Sequence, residues 1–280
     1  MLQAMGLRLW LPPAVAAAGL PTSAPASGAA AASPAAPSPA AATAPRPAAP
    51  ATPAAAPPRP AVSLASAATA TAATMDWPSL RSAVADCRAC GLSDSRRQTV
   101  FGVGHLRAHC MVVGEAPGEH EDACGEPFVG ESGQLLDRML RALGLSRNPA
   151  AAPGGPAQTP ADTPLDNPAH QVYIANTLKC RPPRNRNPSP QELATCQPFL
   201  QRQVALVQPR VILAMGRFAV QSLLGSDEPI GRLRGRLHSW HGVPLVVTYH
   251  PAYLLRQPAD KAKAWDDLCL AASVLDQAPG

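Results

Sequence analysis

Four of the seven cysteines have the spacing of a thiolate-ligated site. Cys87 and Cys90 form a C-x2-C pair, and Cys180 and Cys196 follow far downstream. Residues 189–192 form a capping box, which places Cys196 in the second turn of a helix, facing back toward its start. Cys180 lies in the loop before that helix, so four thiolates can surround one site. Zinc and an iron–sulfur cluster both accept four thiolates, and four buried cysteines without a metal are a third interpretation.

The remaining cysteines and the N-terminus indicate in which cellular compartment the protein is expected. Cys110 and Cys269 are expected in the hydrophobic core, and Cys124 in a loop. The total of seven cysteines is odd, and four of them have metal-site spacing. Both facts fit a reducing compartment better than a disulfide framework. Pro12 and Pro13 interrupt the apolar N-terminal stretch, so a secretion signal is not expected. No run of about 18 apolar residues occurs, so no membrane span is expected, and we predict a cytoplasmic protein.

A second set of candidate residues follows short apolar runs. These runs are nearly continuous in apolar residues, as strands covered on both faces are, and they lie at 110–113, 172–175, 211–214 and 245–248. In open parallel sheets, ligands bind beyond the carboxyl ends of the strands. We therefore expect one pocket to be lined by the residues that follow these ends, namely Glu115, Pro117, Asn176, Gly216 and His250.

Helical patterns separate the predicted strands. A first helix runs through WPSLRSAVADC, a second has its apolar face within 135–143, and a third at 218–224 stops at Gly225. A terminal helix is expected to bury the face formed by Trp265, Leu268, Cys269 and Ala272. Alternation of strands and helices predicts a three-layer α/β/α sandwich around a central four-stranded parallel sheet.

Composition divides the chain into segments. Residues 1–11 form a short apolar peptide, and residues 12–74 are a Pro/Ala linker that is expected to be disordered, because 30 of the 40 residues at 21–60 are Pro or Ala. Residues 75–280 form the folded domain, with a Pro-rich insertion at 148–170. From Asp76 onward the chain carries 21 basic and 19 acidic residues. That balance excludes a histone-like electrostatic binder but leaves room for a local basic face.

Three ordered segments resemble family 4 uracil-DNA glycosylases, the iron–sulfur type of bacteria and archaea. They are GEAPGEHEDACGEPFVGESGQLLDRML, NTLKCRPPRNRNPSPQELATC and RLRGRLHSWHGVPLVVTYHPAYLLR. The resemblance covers about residues 76–275 and implies a 4Fe–4S cluster on the four cysteines together with the uracil-DNA glycosylase fold. A related branch that traps DNA covalently has Gln where Ala116 stands and His in the loop after the second strand. That loop lacks His here, so trapping is not expected.

The resemblance also suggests roles in the base pocket. His250 can donate to the charge that develops on uracil O2, and the Asn176 amide can pair with uracil O4 and N3–H. Phe128 can stack on the base, and the main chain from Glu115 through Ala116 to Pro117 lines the pocket. The same residues could instead be a strand-end histidine, a turn-forming asparagine and a core phenylalanine.

Carboxylates supply candidates for positioning the attacking water. Glu115 is the first candidate, because it lies one residue past the first strand and could orient the water or stabilise an oxocarbenium-like centre. Glu121 and Asp122 compete for the same role.

DNA contacts are expected from the loop after the fourth strand. Tyr253, Leu254 and Leu255 resemble the wedge that fills the gap left by the flipped base, and Arg256 would contact a phosphate. Further phosphate contacts could come from the RLRGR run, that is, from Arg232, Arg234 and Arg236.

The leading hypothesis is a monofunctional uracil-DNA glycosylase that flips uracil out of DNA and hydrolyses its N-glycosidic bond to initiate base-excision repair. The alternatives are a glycosylase for a broader range of deaminated bases and a non-catalytic iron–sulfur DNA-binding or redox protein. The expected partners are uracil-containing DNA and, through residues 1–11, a replication or repair protein. A monomer acting at the nucleoid, without membrane association, is expected.

Overall fold

The computed structural model describes residues 71–147 and 167–277. The predicted peptide at 1–11, all but the last four residues of the predicted linker, and most of the insertion at 148–170 lie outside the described residues. Ala72 is fully buried beside Leu80 and Val84. The packed region therefore includes residues that the sequence pattern assigned to the linker.

Within the described ranges, six strands form one sheet. They are β1 (Val103–Gly104), β2 (Cys110–Gly114), β3 (Val172–Asn176), β4 (Val211–Met215), β5 (Leu237–Trp240) and β6 (Val243–Thr248). Their order is β1-β3-β2-β4-β6-β5, and the inner four are parallel. The predicted parallel strands are confirmed.

The two edge strands pair antiparallel with their neighbours and were not predicted. β1 is only two residues long, and β5 is mostly exposed, with Leu237 outside and Trp240 buried. Neither strand therefore has the continuous apolar run that identified the inner strands.

Eight helices accompany the sheet in the described ranges. They are α1 (Trp77–Asp86), α2 (Glu119–Cys124), α3 (Glu131–Ala142), α4 (Pro190–Val207), α5 (Arg217–Leu224), α6 (Ile230–Leu233), α7 (Pro251–Arg256) and α8 (Lys261–Gln277). The predicted capping box is confirmed, because the Ser189 hydroxyl accepts from the Glu192 N–H at the start of α4. α5 ends at Gly225, whose φ of 63° suits a residue without a side chain.

Helices cover both faces of the sheet. α3, α7 and α8 pack on one face, and α4, α5 and α6 pack on the other. Cys110 lies in the first of these cores, as predicted. In the part of the chain that the structure describes, no helix combines the length and hydropathy needed to cross a bilayer.

The predicted face of α8 is partly wrong. Its buried residues include Ala264, Leu268 and Ala271, whereas Cys269 is exposed. The buried face also contains Asp267, whose carboxylate pairs with Arg234 at 3.0 Å. Because a charged residue lies on the buried face, the spacing of apolar residues alone does not identify that face.

Candidate active site and cysteine site

A cleft of about 840 Å³ lies at the carboxyl ends of the parallel strands. The residues predicted to converge there all line it: Glu115, Pro117, Asn176, Gly216 and His250. Ala116 and Phe128 line it as well. The convergence inferred from topology is therefore confirmed.

Asn176 ends β3 with only 2% of its surface exposed. Its buried Oδ1 atom has no hydrogen-bond partner among the described residues. Such an atom costs about 1–3 kcal/mol unless something bonds to it. A Cβ at Gly114 would lie 2.5 Å from this Oδ1 and 2.6 Å from Phe128 Cζ. Gly114, which the sequence argument did not single out, therefore lets the amide and the ring come together.

Phe128 occupies a conformation that few non-glycine residues adopt, with φ of 56°. Its ring stacks on the His250 ring, with 5.4 Å between centroids and 27° between planes. The following turn is held by Glu121, whose Oε1 accepts from Val129 N at 3.0 Å and from Gly130 N at 3.3 Å. The ring is thus placed by the turn and not by core packing alone.

The two ring nitrogens of His250 differ in their hydrogen bonds. Nδ1 accepts from Ala252 N at 3.2 Å and so caps α7. In the neutral ring the proton is therefore on Nε2, which has no hydrogen-bond partner within the described residues. Burial, together with the smaller effect of the Arg256 charge, lowers the pKa of His250 to about 4, and Glu121 opposes the shift. The neutral imidazole can cap the helix and still donate from Nε2 to a ligand.

The three candidate carboxylates are not equivalent. Both oxygens of Asp122 accept from Arg97 N, at 3.0 and 3.1 Å. Glu121 accepts from the turn after Phe128 and, at 3.0 Å, from Gly118 N. The Glu115 carboxylate has no hydrogen bond within the described residues and lines the cleft. Burial raises the pKa of Glu115, and Arg217 opposes the shift. Only Glu115 therefore keeps its carboxylate oxygens available to a water.

The expectation for Leu254 as a DNA contact needs correction. Leu254 is fully buried in the core beside α8, whereas Leu255 is 41% exposed. α7 points Leu254 inward and the next residue outward, and a sequence of two adjacent leucines does not show which is which. Arg256 lines the cleft, as a phosphate contact requires. In the RLRGR run, Arg234 already pairs with the buried carboxylate of Asp267 at 3.0 Å.

The four predicted ligand cysteines line one small cavity of about 20 Å³. Cys87 follows α1, Cys90 precedes a turn of 3-10 helix, and Cys196 lies in α4. Arg96 donates to Cys180 Sγ at 3.1 Å, and Lys179 N donates to Cys196 Sγ at 3.3 Å.

The cysteine cavity has apolar walls, which include Leu92, Leu178 and Phe199. Burial raises the pKa of Cys90, of Cys180 and of Cys196, the last to about 12. Thiolates at these positions therefore need compensating positive charge. Among residues 71–147 and 167–277, no three His, Cys, Asp or Glu side chains form a group that could hold one metal ion. The four sulfurs are thus convergent but do not form a closed single-ion site.

Comparisons with known proteins agree with this architecture. The Uracil DNA glycosylase superfamily matches residues 101–269. A type-4 uracil-DNA glycosylase of Pyrobaculum aerophilum is 34% identical over 204 residues, which is 70% of this chain and 93% of that protein. The type-4 enzyme of Archaeoglobus fulgidus is 38% identical over 62% of this chain and 81% of its own length. A type-5 uracil-DNA glycosylase of Pyrobaculum aerophilum is 33% identical over 54% of this chain and 64% of its own length.

The matched region contains the parallel sheet and every cleft residue described above. The chain belongs to the uracil-DNA glycosylase superfamily and, within it, to the type-4 family.

Proposed function

We propose that this protein excises uracil from DNA as a monofunctional glycosylase in base-excision repair. The unpaired Asn176 Oδ1, held in the cleft beside Phe128 and His250, is the observation that carries the proposal. A buried acceptor without a partner is what a pocket for the N3–H of uracil requires.

Recognition of the flipped base follows from these side chains. Asn176 Oδ1 accepts from uracil N3–H, and its Nδ2 donates to O4. Cytosine has an amino group in place of O4 and an unprotonated N3. Its amino donor would face the Nδ2 donor of Asn176, and its N3 acceptor would face the Oδ1 acceptor, so neither hydrogen bond forms. Phe128 lies against the base. The pocket is shaped by the main chain of Glu115, Ala116 and Pro117.

Hydrolysis breaks the bond between C1′ and the base nitrogen, and the base leaves with the electron pair. The Nε2–H of His250 donates to O2, where the negative charge collects, and a neutral donor suffices for that. Glu115 accepts a proton from the water whose oxygen bonds to C1′. Within the described residues no lysine lines the cleft, which supports hydrolysis over attack by an amine.

Incubation of the purified protein with a uracil-containing oligonucleotide, followed by alkali, tests the proposal. Strand scission that requires both uracil and alkali is the expected result. Scission without alkali would contradict the monofunctional assignment, and no scission at all would contradict the glycosylase.

A broader substrate range is the second candidate, supported by the partial similarity to a type-5 enzyme. Oligonucleotides containing hypoxanthine or xanthine, used in the same assay, separate the two. Cleavage of these at rates comparable with uracil would favour the broader enzyme.

We further propose that Cys87, Cys90, Cys180 and Cys196 hold a 4Fe–4S cluster. Their common cavity, its apolar walls and the donors to two of the sulfurs support this, and a cluster spreads its four thiolates further apart than one zinc ion does. When bound, the group supplies four iron–thiolate bonds and a possible electron-transfer centre. The cysteines themselves tie α1 to the loop after β3 and to α4. Elemental analysis decides: iron is expected, and zinc without iron would contradict the proposal.

The final part of the proposal concerns the setting of the enzyme. We propose a cytoplasmic monomer at the nucleoid, with residues 1–11 binding a replication or repair protein through Leu2, Met5, Leu9 and Trp10. These residues lie outside the described part of the chain. A pull-down with residues 1–20 as bait, compared with the Trp10→Ala peptide, tests the docking: recovery that is indifferent to Trp10 would contradict it.

A further inference from the structure

A lysine is buried between the base cleft and the cysteine cavity. Only 1% of the Lys179 surface is exposed. Its Nζ donates to the main-chain oxygen of Asn176 at 2.7 Å and to Gln203 Oε1 at 2.6 Å. Burying an ammonium group is costly unless its hydrogens are bonded, so these two contacts account for its position.

The contact with Asn176 falls where the sheet ends. Asn176 is the last residue of β3 and is paired with Gly114, the last residue of β2. After it, Thr177 N donates to Gly114 O and Leu178 N donates to Glu115 O, both at 3.0 Å. These bonds use the N–H groups of the two residues after Asn176, and they leave the buried Asn176 carbonyl to a donor from elsewhere. Lys179 supplies that donor.

The other contacts of Lys179 hold it independently of any substrate. Its N–H donates to Cys196 Sγ at 3.3 Å, and its carbonyl accepts from Val100 N at 2.8 Å. Gln203 Nε2 donates to Phe101 O at 2.9 Å and to Tyr173 OH at 3.1 Å, and Gln203 is fully buried. The ammonium is thus placed by a rigid network that reaches from the cysteine cavity to the base cleft.

We propose that Lys179 is a positioning residue for base recognition. By holding the Asn176 carbonyl it sets the main-chain conformation of Asn176, and hence the direction in which the side-chain amide enters the cleft. This inference rests on the proposed uracil excision, and it connects the cysteine cavity to specificity through residues 176–180, all of which are buried.

The experiment compares inhibition by free uracil in the purified holoenzyme and its variants. Lys179→Met removes the donor while keeping an unbranched side chain. We expect it to weaken inhibition by uracil about tenfold, as the loss of one well-placed hydrogen bond would. Affinity for undamaged duplex should not change, because the DNA-facing loop is untouched. Tyr173→Phe, which alters only the far end of the network, is the control and should bind uracil normally.

A second variant separates positioning from stability. Gln203→Leu breaks the bonds to Phe101 O, Tyr173 OH and Lys179 Nζ but leaves Lys179 its bond to the Asn176 carbonyl. It should therefore lower the unfolding temperature and yet be inhibited by uracil more strongly than Lys179→Met. If Lys179 only stabilises the fold, inhibition by uracil falls in step with the unfolding temperature in both variants, and the proposal is overturned. If Lys179→Met fails to fold, Lys179→Arg, whose donors reach the Asn176 carbonyl, is compared with Lys179→Gln, whose amide ends one bond short of the Nζ position: Lys179→Arg should be inhibited more strongly, and equal inhibition overturns the proposal.

The wild-type protein separates this inference from the function on which it rests. If wild type cleaves uracil-containing DNA and Lys179→Met is inhibited by uracil as strongly as wild type, the positioning role is wrong while the glycosylase stands. If wild type itself neither cleaves such DNA nor binds uracil, the proposed function fails.

Discussion

The base cleft and the cysteine cavity both lie where several chain segments converge. They differ in whether their polar atoms already have hydrogen-bond partners within the protein. The cleft encloses about 840 Å³ and leaves Asn176 Oδ1 unpaired. The cysteine cavity encloses about 20 Å³, and two of its sulfurs already accept hydrogen bonds. A site that exchanges ligands needs unpaired groups facing an opening, whereas a site for a resident group needs donors around the sulfurs. The difference supports the two proposals, uracil excision in the cleft and a resident cluster in the cavity.

The largest expected effect is on the cleft side. His250→Ala should lower the single-turnover rate of uracil excision by about two to three orders of magnitude, the size expected for a lost oxyanion donor. Affinity for DNA should change far less. Because His250 also caps α7, His250→Asn is the matched control: asparagine restores the cap but not the Nε2–H. A rate near wild type in either variant would contradict the role of His250.

On the cavity side the expected effect is on assembly. Cys180→Ser should lose bound iron and visible absorption, and its unfolding temperature should fall by about 10 °C, as the loss of a metal site implies. Cys269→Ser, at an exposed position, is the control and should retain both. Full iron content in Cys180→Ser would show that this thiol is not a ligand.

Asn176→Asp sharpens the assignment of specificity to the cleft. A carboxylate has only acceptors, so it repels uracil O4 and favours the amino group of cytosine. Discrimination between the two bases should fall by about 1–3 kcal/mol, which is about 5- to 150-fold in relative rate. Asn187→Asp, which lies on the exposed rim of the same cleft, should leave the ratio unchanged. Equal discrimination in Asn176→Asp and wild type would rule out base reading by this amide.

The pH dependence separates the two titratable groups of the cleft. Burial raises the pKa of Glu115, so its carboxylate is present only above that raised value, and the rate should fall as pH drops through it. The His250 pKa of about 4 lies below the ordinary carboxyl value of 4.5 from which that of Glu115 is raised, so the imidazole is still mostly neutral where this fall begins. The expected loss is about tenfold per pH unit below the Glu115 pKa. In Glu115→Gln the plateau rate should drop and the acid limb should disappear; an unchanged acid limb would assign it to another group.

The smallest effect is expected from the N-terminal segment. Deletion of residues 1–70 should leave cleavage of naked oligonucleotides within about twofold of wild type, because every cleft and cavity residue lies beyond them. A deletion extended to residue 74 would also remove the buried Ala72 and should lower the unfolding temperature. A large loss of activity in the shorter deletion would place part of the active site in that segment.

Much of the site could be predicted from the sequence, because short stretches of neighbouring residues determine it. Continuous apolar runs identify the parallel strands, because a strand covered on both faces leaves no position for polar residues. The direction of those strands then brings Glu115, Asn176 and His250 together, and the capping box places Cys196 in α4. These inferences need only neighbouring residues and one topological rule.

The tertiary structure decided the features that depend on distant partners. Whether Leu254 or Leu255 faces the core, and whether Asp267 is buried, depends on what α7 and α8 pack against. Main-chain donors from other segments reach the carboxylates of Glu121 and Asp122, whereas none within the described residues reaches that of Glu115. From the sequence, Lys179 would be expected in solvent. Its burial is favourable only because two acceptors, Gln203 Oε1 and the Asn176 carbonyl, lie within hydrogen-bond distance of its Nζ. Pairing energies of this kind belong to two segments at once, so no single stretch of sequence contains them.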